Sequence, residues 1–232
     1  AELYAQTAAS TEPANAADAF QRVIKQAKEA NIMFLIQQTN LRTSELNTTE
    51  MKEFTETLKD IKADTENKVL DNVEVSAYAS PDGATDLNEN LAGQREKNAK
   101  KYIQSEMKKS KLDIAVDSKY TAEDWDGFKA LVEGSNIQDK ELILRVLSMY
   151  SDPEKRESEI KNLSSVYKEL ADEILPQLRR ARLTLNYQLI GRSDDEINEA
   201  FNNDPSVLSV EELLYAATIT NDVNRQKSIY SA

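Results

Sequence analysis

The cleanest alternation of apolar and polar residues lies late in the chain, in "RLTLNYQLIG". Leu183, Leu185, Tyr187 and Leu189 fall on one face there, and Arg182, Thr184, Asn186 and Gln188 on the other. Period two predicts a half-buried strand ending at Gly191. "NVEVSAYAS" (72–80) repeats the pattern, with Val73, Val75, Ala77 and Ala79 inward against Glu74, Ser76 and Tyr78, which predicts a second strand. Two less regular apolar runs complete the set: "NIMFLIQQTNL" predicts a buried strand over Ile32 to Gln38, and "KLDIAVDSKY" one around Ile114 to Asp117.

Between these runs the period lengthens to that of a helix. Met51, Phe54, Leu58 and Ile61 share one face of a helix that Thr48 or Thr49 can cap. A longer helix is expected over about Asn88 to Lys109, with Asp86 as N-cap and Glu89 at N3 of a capping box. Beyond the third strand come Trp125, Phe128, Leu131 and Val132, then Leu142, Ile143, Val146, Leu147 and Tyr150, each set on one helical face. Asp152 followed by Pro153 marks a further helix start, and the apolar positions continue through Ile160, Leu163, Tyr167, Leu170 and Ile174 to Pro176. The order is β-α-β-α-β, an enlarged helical insertion over 119–181, and a last strand, which predicts an α+β sandwich of helices against a sheet.

The two ends differ from this middle. Residues 1–30, Ala-rich and polar, read as a tail entering a short helix. Residues 192–232 carry no strand signal; "SVEELLYAATITNDVNRQKSIY" reads as a helix holding Ala216 and Ala217, a break at "TND" and a second helix start. That segment resembles the opening of a tetratricopeptide-type repeat array. One repeat cannot bury its own face, so the natural protein is expected to continue past Ala232.

Composition narrows the chemistry. With neither histidine nor cysteine among 232 residues, histidine triads, thiol catalysis, disulfides and His or Cys zinc sites are excluded within this chain. The excess of 41 acidic over 29 basic residues gives a net charge of −12, which argues against nucleic acid as a partner. No cofactor is implied. No apolar run approaches the ~18 residues of a membrane span, and the opening "AELYAQTAAS" shows no signal-peptide pattern. "SEMK" (105–108) has the spacing of a serine–lysine pair, but no K-T-G follows and it falls on an amphipathic helix. Trp125 shares its face with Phe128 and Leu131 and reads as core.

The informative stretch is "AYASPDGATDLNENLAGQREKNA" (77–99), where a strand turns into the long helix. Asn88, Leu91 and Arg95, spaced i, i+3 and i+7, share one helical face. That face begins at a helix start, whose free N–H groups attract carboxylates, and the Arg95 fork can take one bidentately. The competing reading pairs Arg95 with a neighbouring acid, makes Asn88 a turn cap and puts Leu91 in the core.

The same stretch resembles the signature of OmpA-like peptidoglycan-binding domains, G-[HYF]-T-D-x-x-G-x-x-x-x-N-x-x-L-S-x-x-R-A. Tyr78, Gly83, Asn88, Leu91 and Arg95 fall on it without a gap. The element order over 31–191 agrees, and "LRRARLTLNYQLIG" resembles the family's arginine-rich final strand. The likeness is to a divergent branch in Bacteroidetes-type outer membranes, often joined to helical repeats. Ser80 stands where the family has the aspartate that grips, with the arginine, the diaminopimelate of the peptide stem. Ala77, Ala79, Ala92 and Glu96 also depart from the pattern.

The resemblance implies a non-enzymatic, periplasmic domain associated with the outer membrane. Arg95 is expected to take a ligand carboxylate, helped by N–H groups between Gly83 and Asn88, with Ser80, Asp82 or Asp86 facing the ligand's amino group. The alternative is an interaction scaffold of a surface assembly. It would have lost the ligand and would hold a protein partner through the 119–181 insertion or the C-terminal repeat.

Overall fold

Strands pair only where backbone groups find partners, and the chain builds its sheet from four such segments. The computed structural model describes residues 19–232. The chain runs through β1 (Val23–Met33), α1 (Thr43–Leu46), α2 (Thr49–Ala63), β2 (Lys68–Tyr78), α3 (Thr85–Lys109) and β3 (Val116–Thr121). The insertion follows as α4 (Trp125–Gly134), α5 (Lys140–Met149), α6 (Pro153–Asn162), α7 (Ser164–Glu169), a π-helical turn (Leu170–Ile174) and α8 (Leu175–Leu178). It leads into β4 (Arg180–Ile190), then α9 (Asp194–Asn203), a short 3-10 turn (Pro205–Val207), α10 (Val210–Thr218) and α11 (Val223–Tyr230).

The sheet order is β1-β4-β2-β3. β2 and β3 run parallel, Val73 opposite Val116 and Tyr78 opposite Thr121, and α3 provides the crossover that a parallel pair requires. Asn186 of β4 donates to Asn72 and Glu74 of β2, and Gln188 donates to Asp71. Residue numbers therefore rise along one strand as they fall along the other, so β4 is antiparallel to β2 and the sheet is mixed. The α+β class read from the sequence is what the chain adopts.

Two compact units result, one of Lys25–Gln188 and one of residues 19–24 with Leu189–Ala232. In the larger unit the inward face of the sheet (Ile32, Val73, Val75, Ala77, Leu183, Leu185) packs on Met51, Phe54, Leu58 and Ile61 of α2 and on Ala99, Ile103 and Met107 of α3. At ~1.5–3 kcal/mol for each large apolar side chain buried, this core dominates the unit's stability. The insertion has a core of its own, built on Phe128, Val132, Ile143, Ile160, Leu170, Ile174 and Leu178. In the smaller unit Ile197, Leu208, Ala216, Ala217 and Ile229 close together, Phe20 stacks on Tyr215 at 4.4 Å, and Arg22 pairs with Asp194.

Several expectations shift. Of the expected tail and helix over 1–30, residues 1–18 lie outside the described residues, and Val23 to Ala30 are strand. Edge position explains the miss: the first residues of β1 are exposed on both faces, so no alternation marked them, and helix propensity is a weak prior against pairing with β4. The strand expected over Ile32 to Gln38 ends at Met33, and Gln37 is left-handed at φ 54°. β3 begins two residues later than expected, and the insertion's helices occupy 125–178 rather than all of 119–181.

The helix expected from Pro153 to Pro176 breaks at Leu163, whose ψ of 62° is not helical. It resumes through the π turn, where Leu175 N–H bonds to the Leu170 carbonyl, just ahead of the donor-less Pro176. Thr48 does cap α2, accepting from Met51 N–H, and Asp152 caps α6 with Pro153 after it.

Candidate functional site

β2 ends at Tyr78 because the chain must turn before α3 can cross back. Gly83 makes that turn at φ +117°, a conformation that side-chain-bearing residues rarely adopt. α3 then starts at Thr85 with Ala84 as N-cap, and no side chain caps it. Asp86 is therefore not the cap expected. It lies exposed in the helix's first turn, where its charge suits the helix dipole, and it does not line the cleft described below. Asn88, 2% exposed, donates to the Gly83 carbonyl at 3.3 Å and so braces the turn from inside.

Arg95 is 1% exposed and is the largest fully buried side chain in the described chain. Its Nε donates to the Gln38 carbonyl (3.0 Å), Nη1 to Tyr78 (2.9 Å) and Nη2 to Leu35 (3.4 Å), and its guanidinium lies 5.0 Å from the Phe34 ring. One turn on, Asn98 donates to the Thr39 carbonyl at 2.8 Å. The helix thus fastens the 34–39 loop to the end of β2 through their backbone carbonyls. Burial pushes the Arg95 pKa down, to about 10, with Arg179 adding to the drop and Asp82 opposing it. Arg95 stays cationic at neutral pH. Three of its five N–H groups serve the fold, and one on each terminal nitrogen is left over.

Neither expected reading of Arg95 describes this arrangement fully, since its partners are backbone carbonyls rather than a neighbouring acid. Leu91 is half-buried and lines the cleft. A second arginine, to which the sequence reading gave no role, completes the corner. Arg179, 8% exposed, sits where α8 hands over to β4. Its Nε donates to Ser80 Oγ at 3.1 Å, and its Nη2 pairs with Asp82 Oδ2 at 3.1 Å. Asp82 Oδ1 is buried and has no hydrogen-bond partner among the described residues. The only advance sign of Arg179 was the doubled arginine of "LRRARL", three residues ahead of the alternation that begins at Arg182.

These groups surround a cleft of about 90 Å³ between the 79–83 turn, the first turns of α3 and the 36–37 loop. Of the six residues singled out in the sequence, Ser80, Asp82, Gly83, Asn88 and Arg95 line it and Asp86 does not. Its charged groups are two guanidiniums and one carboxylate, so it is net cationic within a chain that is net anionic. Ile36, 59% exposed, and Leu87, 41% exposed, form an apolar rim. The arrangement can hold a small carboxylate that also brings a hydrogen-bond donor and an aliphatic stem. No group of three or more acidic residues is placed to hold a metal ion among the described residues.

Compared with known proteins, the chain matches no family model and no curated protein. No helix among the described residues is long and apolar enough to cross a membrane.

Proposed function

We propose that this chain is a non-enzymatic OmpA-like domain that holds the peptide stem of peptidoglycan on the periplasmic side of an outer membrane. The observation that carries the reading is the convergence of Arg95, Arg179 and Asp82 on one cleft, with Asp82 Oδ1 buried and without a hydrogen-bond partner among the described residues. The remaining N–H groups of Arg95 and Arg179 take the ligand carboxylate, the charge-assisted interaction that a planar fork makes best. Asp82, two residues after the Ser80 that replaces the family's aspartate, takes the ligand's amino group through Oδ1. Ile36 and Leu87 cover its methylene chain.

Sedimentation with purified sacculi tests this. The wild-type chain pellets with the wall, and Asp82→Asn, which keeps an acceptor toward Arg179 but lacks the charge, stays in the supernatant. Equal pelleting of both would remove Asp82 from the site, and no pelleting of either would end the reading.

One observation favours a second reading, a scaffold without this ligand: Arg95 already serves three carbonyls at 1% exposure. In that reading the insertion, or the C-terminal helices with their resemblance to a tetratricopeptide unit, holds a protein partner. Crosslinks from the insertion to a protein, without wall binding, would select it.

A further inference from the structure

The turn that carries Asp82 is fastened from two sides. On the sheet side Arg179 holds Ser80 and Asp82. On the other side Gly83 N–H donates to Glu157 Oε1 of α6 at 2.5 Å, across 74 residues of sequence. Glu157 is 20% exposed at its side chain and also accepts from Lys161 Nζ at 2.6 Å, one helical turn on. That bond, set against partial desolvation, raises the Lys161 pKa, so Lys161 keeps its charge at neutral pH. Pro81 and Asp82 meanwhile border a small apolar cavity of the insertion beside Phe128, Tyr167 and Leu170. The cleft wall is thus also the wall of the insertion's core.

A backbone N–H at a turn is ordinarily left to solvent. Here the insertion sends a carboxylate to the one residue of the turn whose φ of +117° only glycine holds easily. The bond is charge-assisted and fixes the peptide unit that joins Asp82 to Gly83. We infer that Glu157 is a positioning residue through which the helical insertion holds the Asp82–Gly83 peptide in the conformation that forms the cleft. Displacing α6 therefore reshapes the cleft, and a partner on the insertion can control it. This rests on the cleft being the ligand site, although the positioning itself is read without ligand.

The test uses amide and arginine Nε resonances of the full chain in Glu157→Ala and Glu157→Gln, with Lys161→Met as a control. In Glu157→Ala the Gly83 amide moves upfield and exchanges about tenfold faster, as expected for loss of one hydrogen bond to a charged acceptor. The Arg179 Nε resonance moves with it, while the amide of Ile103, two turns beyond Arg95 on α3, stays put. Glu157→Gln, which keeps a neutral acceptor, falls between the two, and Lys161→Met leaves Gly83 near its wild-type position. A Gly83 amide unmoved in Glu157→Ala, or one that moves while Arg179 Nε does not, overturns the inference. Titration of the same variants with a diaminopimelate-containing stem peptide separates the two ideas. If the wild type ignores the peptide while the resonances shift as described, the ligand reading falls and the positioning role stands; if it binds, Glu157→Ala binds about tenfold more weakly, and unchanged affinity overturns control of the cleft.

Discussion

The corner between β2 and α3 and the helical insertion are held together by different physics. The insertion closes around apolar volume: Phe128, Val132, Ile143, Leu170 and Leu178 fill its core, and over 119–178 Asp124, the cap of α4, is the only buried polar residue among those described. The corner instead gathers the buried Ser80, Asn88, Arg95 and Arg179 around one cleft. Volume tolerates exchange, because a similar hydrophobe refills the same space. Directional bonds do not, because each buried carbonyl left without a donor costs free energy. The lesson is that the polar corner is the specified part of the unit, and its specification serves the fold before it serves any ligand.

The largest effect expected is that of Arg95→Ala. It strips donors from the carbonyls of Leu35, Gln38 and Tyr78 together, and denaturant unfolding should show a loss of about 3–5 kcal/mol. Wall binding lost in this variant would therefore report unfolding as much as recognition, which makes Asp82→Asn the cleaner probe. Arg95→Lys sharpens the contrast: it keeps the charge, but one ammonium cannot reach three carbonyls set for a fork, and a loss of about 2–3 kcal/mol is expected by the same measurement. Phe128→Leu in the insertion, a comparable conservative change, should cost less than about 1.5 kcal/mol. If it costs more than Arg95→Lys, the distinction between the two regions fails.

A smaller effect tests the helical unit by pH. Burial pushes the Glu212 carboxyl up, but the Ser209 N–H and the Arg192 guanidinium outweigh it and hold the group below its ordinary 4.5. A depressed carboxylate contributes stability above its unfolded pKa and loses it as pH falls through the folded value. Thermal midpoints of wild type and Glu212→Gln should therefore differ at pH 7 and converge as the pH falls through and below the lowered folded pKa of Glu212. The least effect belongs to the exposed Lys155–Glu159 pair, whose removal should leave the midpoint unchanged within error.

Much of this fold was legible because periodicity reports burial. Val73, Val75 and Ala77, Leu183 and Leu185, and the α2 face of Met51, Phe54, Leu58 and Ile61 are all buried as their spacing predicts. β1 was misread as helix over Val23 to Ala30 because an edge strand exposed on both faces leaves no alternating signal. At the site, the turn residues were visible through Gly83 and the spacing of Asn88 and Arg95. What spacing could not show is that Arg95 spends its donors on the 35–38 loop, that Arg179 arrives from 99 residues beyond Ser80, or that Glu157 arrives from 74 beyond Gly83. Such partners are set by the packing of distant segments, and one sequence carries no periodicity that links them.

The ligand role of the Arg95–Arg179–Asp82 cleft requires that it receive a carboxylate-bearing stem. The most direct measurement is a titration of the wild-type chain with a soluble diaminopimelate-containing stem peptide, followed through backbone amides and the two arginine Nε resonances. Saturable shifts confined to residues 79–88, the 36–37 loop and Arg179 are predicted, and they should vanish in Asp82→Asn. No shift at saturating peptide, or shifts centred elsewhere on the chain, would contradict the account.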